Sequence, residues 1–153
     1  MNVSTTFTPG RVVCRGTSRV PVSADRALRL FTPTGEREWA EGWNPVFPAE
    51  ARDDGAPGTV FVTHAHGGGQ AIWMVAHRTE HSMRYARAVP GVWAGTVEVR
   101  CEPAGSQAVA HVTYDLTALH DAQRPRLREF AAGFDALLHE WEHALAATLD
   151  PQS

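Results

Sequence analysis

DAQRPRLREFAAGFDALLHEWEHALAATL, residues 121–149, is where the pattern of this chain changes. Leu127, Phe130, Phe134, Leu137, Leu138, Trp141, Leu145 and Thr148 recur with a period near 3.6 and share one face. That spacing predicts one amphipathic helix of about 28 residues. Nothing upstream has this period. Arg11–Val22 alternates and is rich in Val and Thr, so it reads as a strand. Five further strand-like runs follow the turn chemistry of Ala51–Gly58: Thr59–Ala65, Gln70–Thr79, Ser82–Val89, Val92–Glu102 and Gln107–Leu119. Their links are short, as at Glu80-His81, Pro90-Gly91 and Pro103–Ser106, which implies an antiparallel meander.

Two short helices fit between the first strand and the meander. Ser23 can cap Ala24–Phe31, with Asp25 in its first turn and Pro33 as its stop. A second spans Gly35–Glu41. A sheet of this kind has one apolar face, and the final helix is the element long enough to cover it. The expected class is α+β, a curved antiparallel sheet around a C-terminal helix. A curled sheet gripping a helix tends to leave a cavity between them.

The chain has 153 residues, which favours a single domain spanning 1–153. The first ten residues and residues 150–153 are expected to be loose. A hydrophobic content of 43% suffices for a sizeable core. The net charge of -3 offers no basic footprint, so no nucleic-acid partner is expected. Met1–Gly10 has neither a basic start nor an apolar run, and no stretch approaches the length of a spanning helix. The expectation is a cytoplasmic protein without membrane insertion. Cys14 and Cys101 are too few for a disulfide scaffold and read as small core residues.

Several chemical motifs resolve into simpler features. HEWEH, His139–His143, matches the H-E-x-x-H of zinc hydrolases. An α-helix turns about 100° per residue, so with Leu127 at zero His139 falls near 120° and His143 near 160°. Both point to water, whereas Trp141 points inwards. A zincin also needs a third ligand and a walled cleft. No metal or other cofactor is therefore assigned. His66–Gly69, HGGG, resembles an oxyanion-hole loop, but no G-x-S-x-G elbow accompanies it. Three glycines between strands are more simply a loose turn. His64 and His66 share a strand face without further ligands.

Phe31–Pro45, FTPTGEREWAEGWNP, packs Phe31, Trp39 and Trp43 into fifteen residues broken by Pro33, Gly35, Gly42 and Pro45. The aromatics anchor short helical turns, either as a corner of the core or as a gate at a cavity mouth. This segment resembles the SRPBCC superfamily of START-like, polyketide-cyclase-like and birch-pollen-allergen-like domains. Some bacterial members carry T-P-x-G-E-R-x-W-x-x-G-W-x-P after the first strand. Here it stands as Thr32, Pro33, Gly35, Glu36, Arg37, Trp39, Gly42, Trp43 and Pro45. Gly58–Phe61, Trp73, Tyr85–Arg87, Pro90-Gly91 and Val112–Leu119 resemble that subgroup too, in the same order. The resemblance implies a helix-grip fold with seven antiparallel strands and a cavity for a lipid-like or polycyclic ligand. Its oxygenase branch needs a partner Rieske domain, for which no Cys-His cluster exists here.

Strand alternation supplies an expected lining. Ala108, Ala110, Val112, Tyr114 and Leu116 share the inner face of their strand; so do Met83, Tyr85, Arg87 and Val89 of theirs. Trp93, Gly95, Val97, Val99 and Cys101 look inward. Trp73, Val75 and His77 share a face opposite Ile72 and Met74, and alternation leaves that strand ambiguous. With the helix, the candidate ligand-cavity residues are Trp39, Trp43, Trp73, Tyr85, Arg87, Trp93, Tyr114, Phe130, Phe134 and Trp141. A buried Arg87 needs a carboxylate or a ligand as partner, either Glu36 or another acid of the chain or the acidic head of a bound acid; the alternative is a place near the rim. No catalytic residue is assigned.

The favoured function is binding or transport of a hydrophobic small molecule, namely a lipid, polyketide or aromatic. A cyclase or related lyase is the alternative, with Tyr85, His64, His77 or Arg87 as acid–base groups. A partner-binding, co-chaperone-like domain is the third; no protein partner is identified. Gly95→Phe is the substitution that alternation suggests for filling the cavity.

Overall fold

The computed structural model describes residues 3–51, 53–65 and 69–149. In chain order the elements are β1 (Ser4–Thr8), β2 (Arg11–Val20), α1 (Ala24–Ala27), β3 (Val60–His64), β4 (Gln70–Arg78), β5 (Ser82–Val89), β6 (Trp93–Ala104), β7 (Gln107–Ala118) and α2 (Arg124–Thr148). α1 continues as a 3-10 turn, Leu28–Phe31, and a second 3-10 turn covers Gly35–Glu38. A third, Asp121–Gln123, leads into α2. The seven strands form one antiparallel sheet in the order β1-β2-β7-β6-β5-β4-β3. This is the α+β helix grip that the residues predict. His66, Gly67 and Gly68 of the HGGG stretch lie outside the described residues.

One strand escaped the alternation pattern. Ser4–Thr8, placed in a loose leader by the sequence, pairs with β2 from Ser4↔Arg15 to Thr8↔Arg11. Pro9 and Gly10 make the two-residue turn, with Gly10 at φ +75°. Proline at the first central position and a left-handed glycine at the second are ordinary turn chemistry.

The inner face of the sheet and one stripe of α2 make the core. Leu127, Phe134, Leu138 and Leu145 of α2 are buried, while His139 and His143 are exposed. The helix lies against β2, where sequence makes room for it. A Cβ on Gly16 would fall 2.4 Å from Leu138 Cδ1. Two residues on, the buried Ser18 hydroxyl donates to the Leu138 carbonyl at 2.9 Å. That bond holds the middle of the helix to the strand.

β4 resolves the ambiguous strand. Trp73 and Val75 face inward, and Ile72 and Met74 face outward. His77 does not follow Trp73, because a bulge falls between Val75 and His77. The extra residue reverses the alternation, so His77 is exposed. His64, in β3, is exposed as well. Val46 bridges to Val62 beyond the edge of β3. Val46, Val60, Ile72 and Met74 are exposed large apolar side chains at this end of the sheet.

β6 carries the tightest backbone approach. A Cβ on Gly95 would fall 1.7 Å from the Asp115 carbonyl oxygen of β7. Gly95 therefore cannot carry the phenylalanine that alternation suggests, since any side chain meets backbone and not open space.

Candidate ligand site on the inner wall

Aromatic rings pack on the inner side of the sheet in three groups. Phe31, Trp39 and Trp141 meet edge-on or tilted, with centroids 5.6–6.1 Å apart. Trp43, Phe47, Phe61, Trp73 and Tyr85 form a second group, with Phe61 and Trp73 stacked at 5.6 Å. Trp93, Phe130, Tyr114 and Phe134 form a third. The first group ties the segment after α1 to α2. The second belongs to the β3–β5 half of the sheet, and the third to β6, β7 and the first half of α2.

Of the ten residues expected at a cavity, nine belong to the hydrophobic core or pack against it, and Arg87 lies against the Trp73 and Trp93 rings. Trp39, Trp73, Tyr85, Tyr114 and Phe134 are buried. Trp43, Trp93, Phe130 and Trp141 pack against the core while keeping some contact with solvent. Arg87 is also partly buried.

Most polar groups on this wall are spent on backbone. Trp39 Nε1 donates to the Leu30 carbonyl at 2.7 Å, and Trp43 Nε1 to the Pro33 carbonyl at 2.7 Å. The Tyr85 hydroxyl donates to the Phe31 carbonyl at 2.7 Å. Trp73 Nε1 donates to Thr63 Oγ1 at 3.0 Å. These bonds fix the Phe31–Pro45 segment and its neighbours as a wall.

Arg87 differs. Its guanidinium carbon sits 5.0 Å from the Trp73 ring centroid and 5.9 Å from that of Trp93, between two of the aromatic groups. The rings attract the cation through their faces. Yet Arg87 Nε is buried without a hydrogen-bond partner, and so is Trp93 Nε1. Among the described residues, no carboxylate forms an ion pair with Arg87. Glu36 is not its partner. Burial lowers the Arg87 pKa, and the neighbouring Tyr114 opposes that shift. An arginine remains charged through such a shift.

Three more ionisable groups share this interior. Burial pushes the Tyr114 hydroxyl up to about 12; Arg87 pulls it down and Glu36 pushes it up further. Tyr114 thus feels the cation and the carboxyl together. Burial also holds the Glu36 carboxyl well above the usual carboxylate range. The Tyr85 hydroxyl is raised by burial first, and then by Glu36. Glu36 was missing from the predicted lining. Its signal was the three-residue step to Trp39, which places the two on one side of a 3-10 turn.

The two surface depressions described lie off this wall. One, of about 610 Å³, is lined by Arg26, Arg29, Asp53, Asp54 and Arg78 among others, and is charged. The other lies beside Pro9, Gly10 and Arg124.

Comparison with solved structures matches this arrangement. A protein from Mesorhizobium loti, MLL2253, superposes with a TM-score of 0.64 at 16% identity, covering 89% of this chain and 98% of that one. CalU16 from Micromonospora echinospora gives 0.59 at 15% identity, covering 99% of this chain and 85% of the other. DynU16, a protein of the dynemicin biosynthetic locus, gives 0.62 at 17% identity, covering 91% of this chain but 47% of DynU16. The fold, a seven-stranded antiparallel sheet against a long C-terminal helix, is the helix grip that these structures share. No family model and no curated protein matches the sequence. Among the described residues, no helix is long and apolar enough to cross a membrane.

Proposed function

We propose that this protein binds a hydrophobic small molecule between the sheet and α2. The observation that carries the reading is the set of aromatic rings that face the interior yet keep contact with solvent: Trp43, Trp93, Phe130 and Trp141. Binding sites for small molecules are lined in this way, by apolar and aromatic side chains with a few polar groups among them. Of these four, Trp93, Phe130 and Trp141 have no hydrogen bond among the described residues to hold them against a guest, whereas Trp43 is fixed by its bond to the Pro33 carbonyl. The fold likeness to CalU16 and DynU16 supports a natural-product-like guest, since DynU16 comes from a biosynthetic locus.

The test is mass spectrometry of the freshly purified protein, native and then denatured. A reproducible extra mass that extracts into organic solvent is the expected result. An unliganded mass, together with no saturable binding of fatty acids or polycyclic aromatics, would overturn the reading.

Cyclisation of a polyketide-like chain is the second reading. The buried Tyr114 hydroxyl, held up by burial with Arg87 pulling against that shift, favours it, because such chemistry needs a shaped wall and one or two acid–base groups. The exposed His64 and His77 take no part in it. Turnover that Tyr114→Phe abolishes, with ligand affinity retained, would select this reading over plain binding.

A further inference from the structure

We infer that the bound molecule carries a carboxylate and that Arg87 and Trp93 hold it. This rests on the binding reading above and names the chemical class of the ligand. The argument is an accounting of donors. Four polar side chains of the inner wall donate to protein acceptors within 2.7–3.0 Å. Among the described residues, the buried side-chain donors left without an acceptor are Arg87 Nε and Trp93 Nε1. They lie on adjacent strands. Arg87 pairs with Gly95 and Val89 with Trp93, so Arg87 and Trp93 are diagonal neighbours across the β5–β6 ladder.

The rings of Trp73 and Trp93 do not discharge this demand. A ring attracts a guanidinium through its π-face, whereas the N–H groups of the cation need acceptors. A buried donor left without an acceptor is costly, and native proteins rarely leave one. Two such donors together, one on a cation with no ion-pair partner, form the positive half of a recognition site.

The identity of the other half follows from what surrounds them. The acceptor must be anionic to match Arg87, and planar to match its fork. It must also be small in charge, because Arg87 is the one cation set against these rings among the described residues. A monoanionic carboxylate meets all three conditions; a phosphate dianion does not. Trp93 and Phe130, edge-on at 5.8 Å, then border the apolar body of the molecule. The ligand class is a hydrophobic monocarboxylic acid, with an aromatic body the best match for these rings.

The experiment compares 2-naphthoate with 2-naphthalenemethanol, which keeps the rings and lacks the charge. Dissociation constants are measured by calorimetry on the wild type, Arg87→Met and Trp93→Phe, each checked for a cooperative melt. The wild type should prefer the acid by about tenfold or more, the scale of a charge-assisted hydrogen bond. Arg87→Met should abolish that preference and leave the alcohol's affinity within about twofold. Trp93→Phe keeps a ring and removes only the N–H, and should reduce the preference in part; it decides the matter if Arg87→Met does not fold. Equal affinity for acid and alcohol in the wild type would overturn the inference while leaving the binding reading intact. So would a preference that survives the substitution at Arg87, or at Trp93 if that is the variant that folds. Binding of neither probe would overturn both.

Discussion

Glu36 is a carboxyl group placed where carboxyls are expensive. It sits on a 3-10 turn beside Trp39, within the field of Tyr85 and Tyr114, and burial raises its pKa well above the ordinary value. The consequence for stability follows by linkage. A raised folded-state pKa means that the folded chain holds this proton more tightly than the unfolded chain does. The associated stability is fully present below the ordinary carboxylate range and is lost as pH rises through the folded value. Glu36→Gln removes that loss. The stability of Glu36→Gln relative to wild type should therefore rise between pH 4 and pH 8, as read by urea denaturation at both. A difference that is the same at both values would show that Glu36 is not buried in this way. Asp115 behaves oppositely: its two bonds to Arg11, at 2.8 and 2.6 Å, lower its pKa, and it titrates alike in both proteins. Tyr85, Arg87 and Tyr114 were legible as inward residues because strands alternate. The acceptor of Tyr85, the Phe31 carbonyl, was not, because it depends on the path of a 3-10 turn. Nor was the isolation of Arg87, since the absence of a partner is a fact about three-dimensional neighbours.

Among the elements, β4 gives the sharpest test of face assignment. Its sequence reads apolar on both sides, with Ile72 and Met74 opposing Trp73 and Val75, so alternation alone could not orient it. The structure exposes 42% of Ile72 and 7% of Trp73. Trp73→Ala should then cost about 3–5 kcal/mol of stability, the range for truncating a large buried aromatic. Ile72→Thr should stay within about 0.5 kcal/mol, as surface substitutions do. Denaturant midpoints will decide, and comparable losses at the two positions would reverse the assignment. The bulge after Val75 was beyond sequence reasoning, because nothing in Val75–His77 marks an unpaired residue. β1 is a different failure. Its Pro9-Gly10 turn and the alternation of Thr and Phe were present in the sequence, but a stretch of five mostly exposed residues has too little apolar signal to stand out. The long helix was legible because its buried positions, Leu127 to Leu145, repeat over about five turns. The same periodicity placed His139 and His143 on the outer surface, where His139 Nδ1 lies 2.9 Å from the Asp135 carbonyl oxygen of its own helix.

At the scale of the molecule, the helix and the sheet are fastened unequally, and this bears on entry. β2 and α2 are locked where Ser18 bonds the Leu138 carbonyl and Gly16 admits Leu138. At the seam between α2 and the segment after α1 the structure has ring contacts, Trp141 lying 6.1 Å from Phe31 and 5.6 Å from Trp39, and among the described residues no side-chain hydrogen bond crosses there. Ring contacts of this kind contribute about 0.5–1.5 kcal/mol each beyond the area they bury, and they have no directional bond to re-form once parted. A guest that enters the grip should therefore part this seam and leave the β2 side closed. Trp141→Ala removes the helix's share of the seam without touching Arg87 or Trp93. Its expected effect is a faster association of a fluorescent hydrophobic probe, with a smaller change in the acid-over-alcohol preference, measured by stopped-flow mixing. An association rate equal to that of the wild type would place the entrance elsewhere, with the partly exposed Trp43 on the β3–β4 side the next ring to truncate.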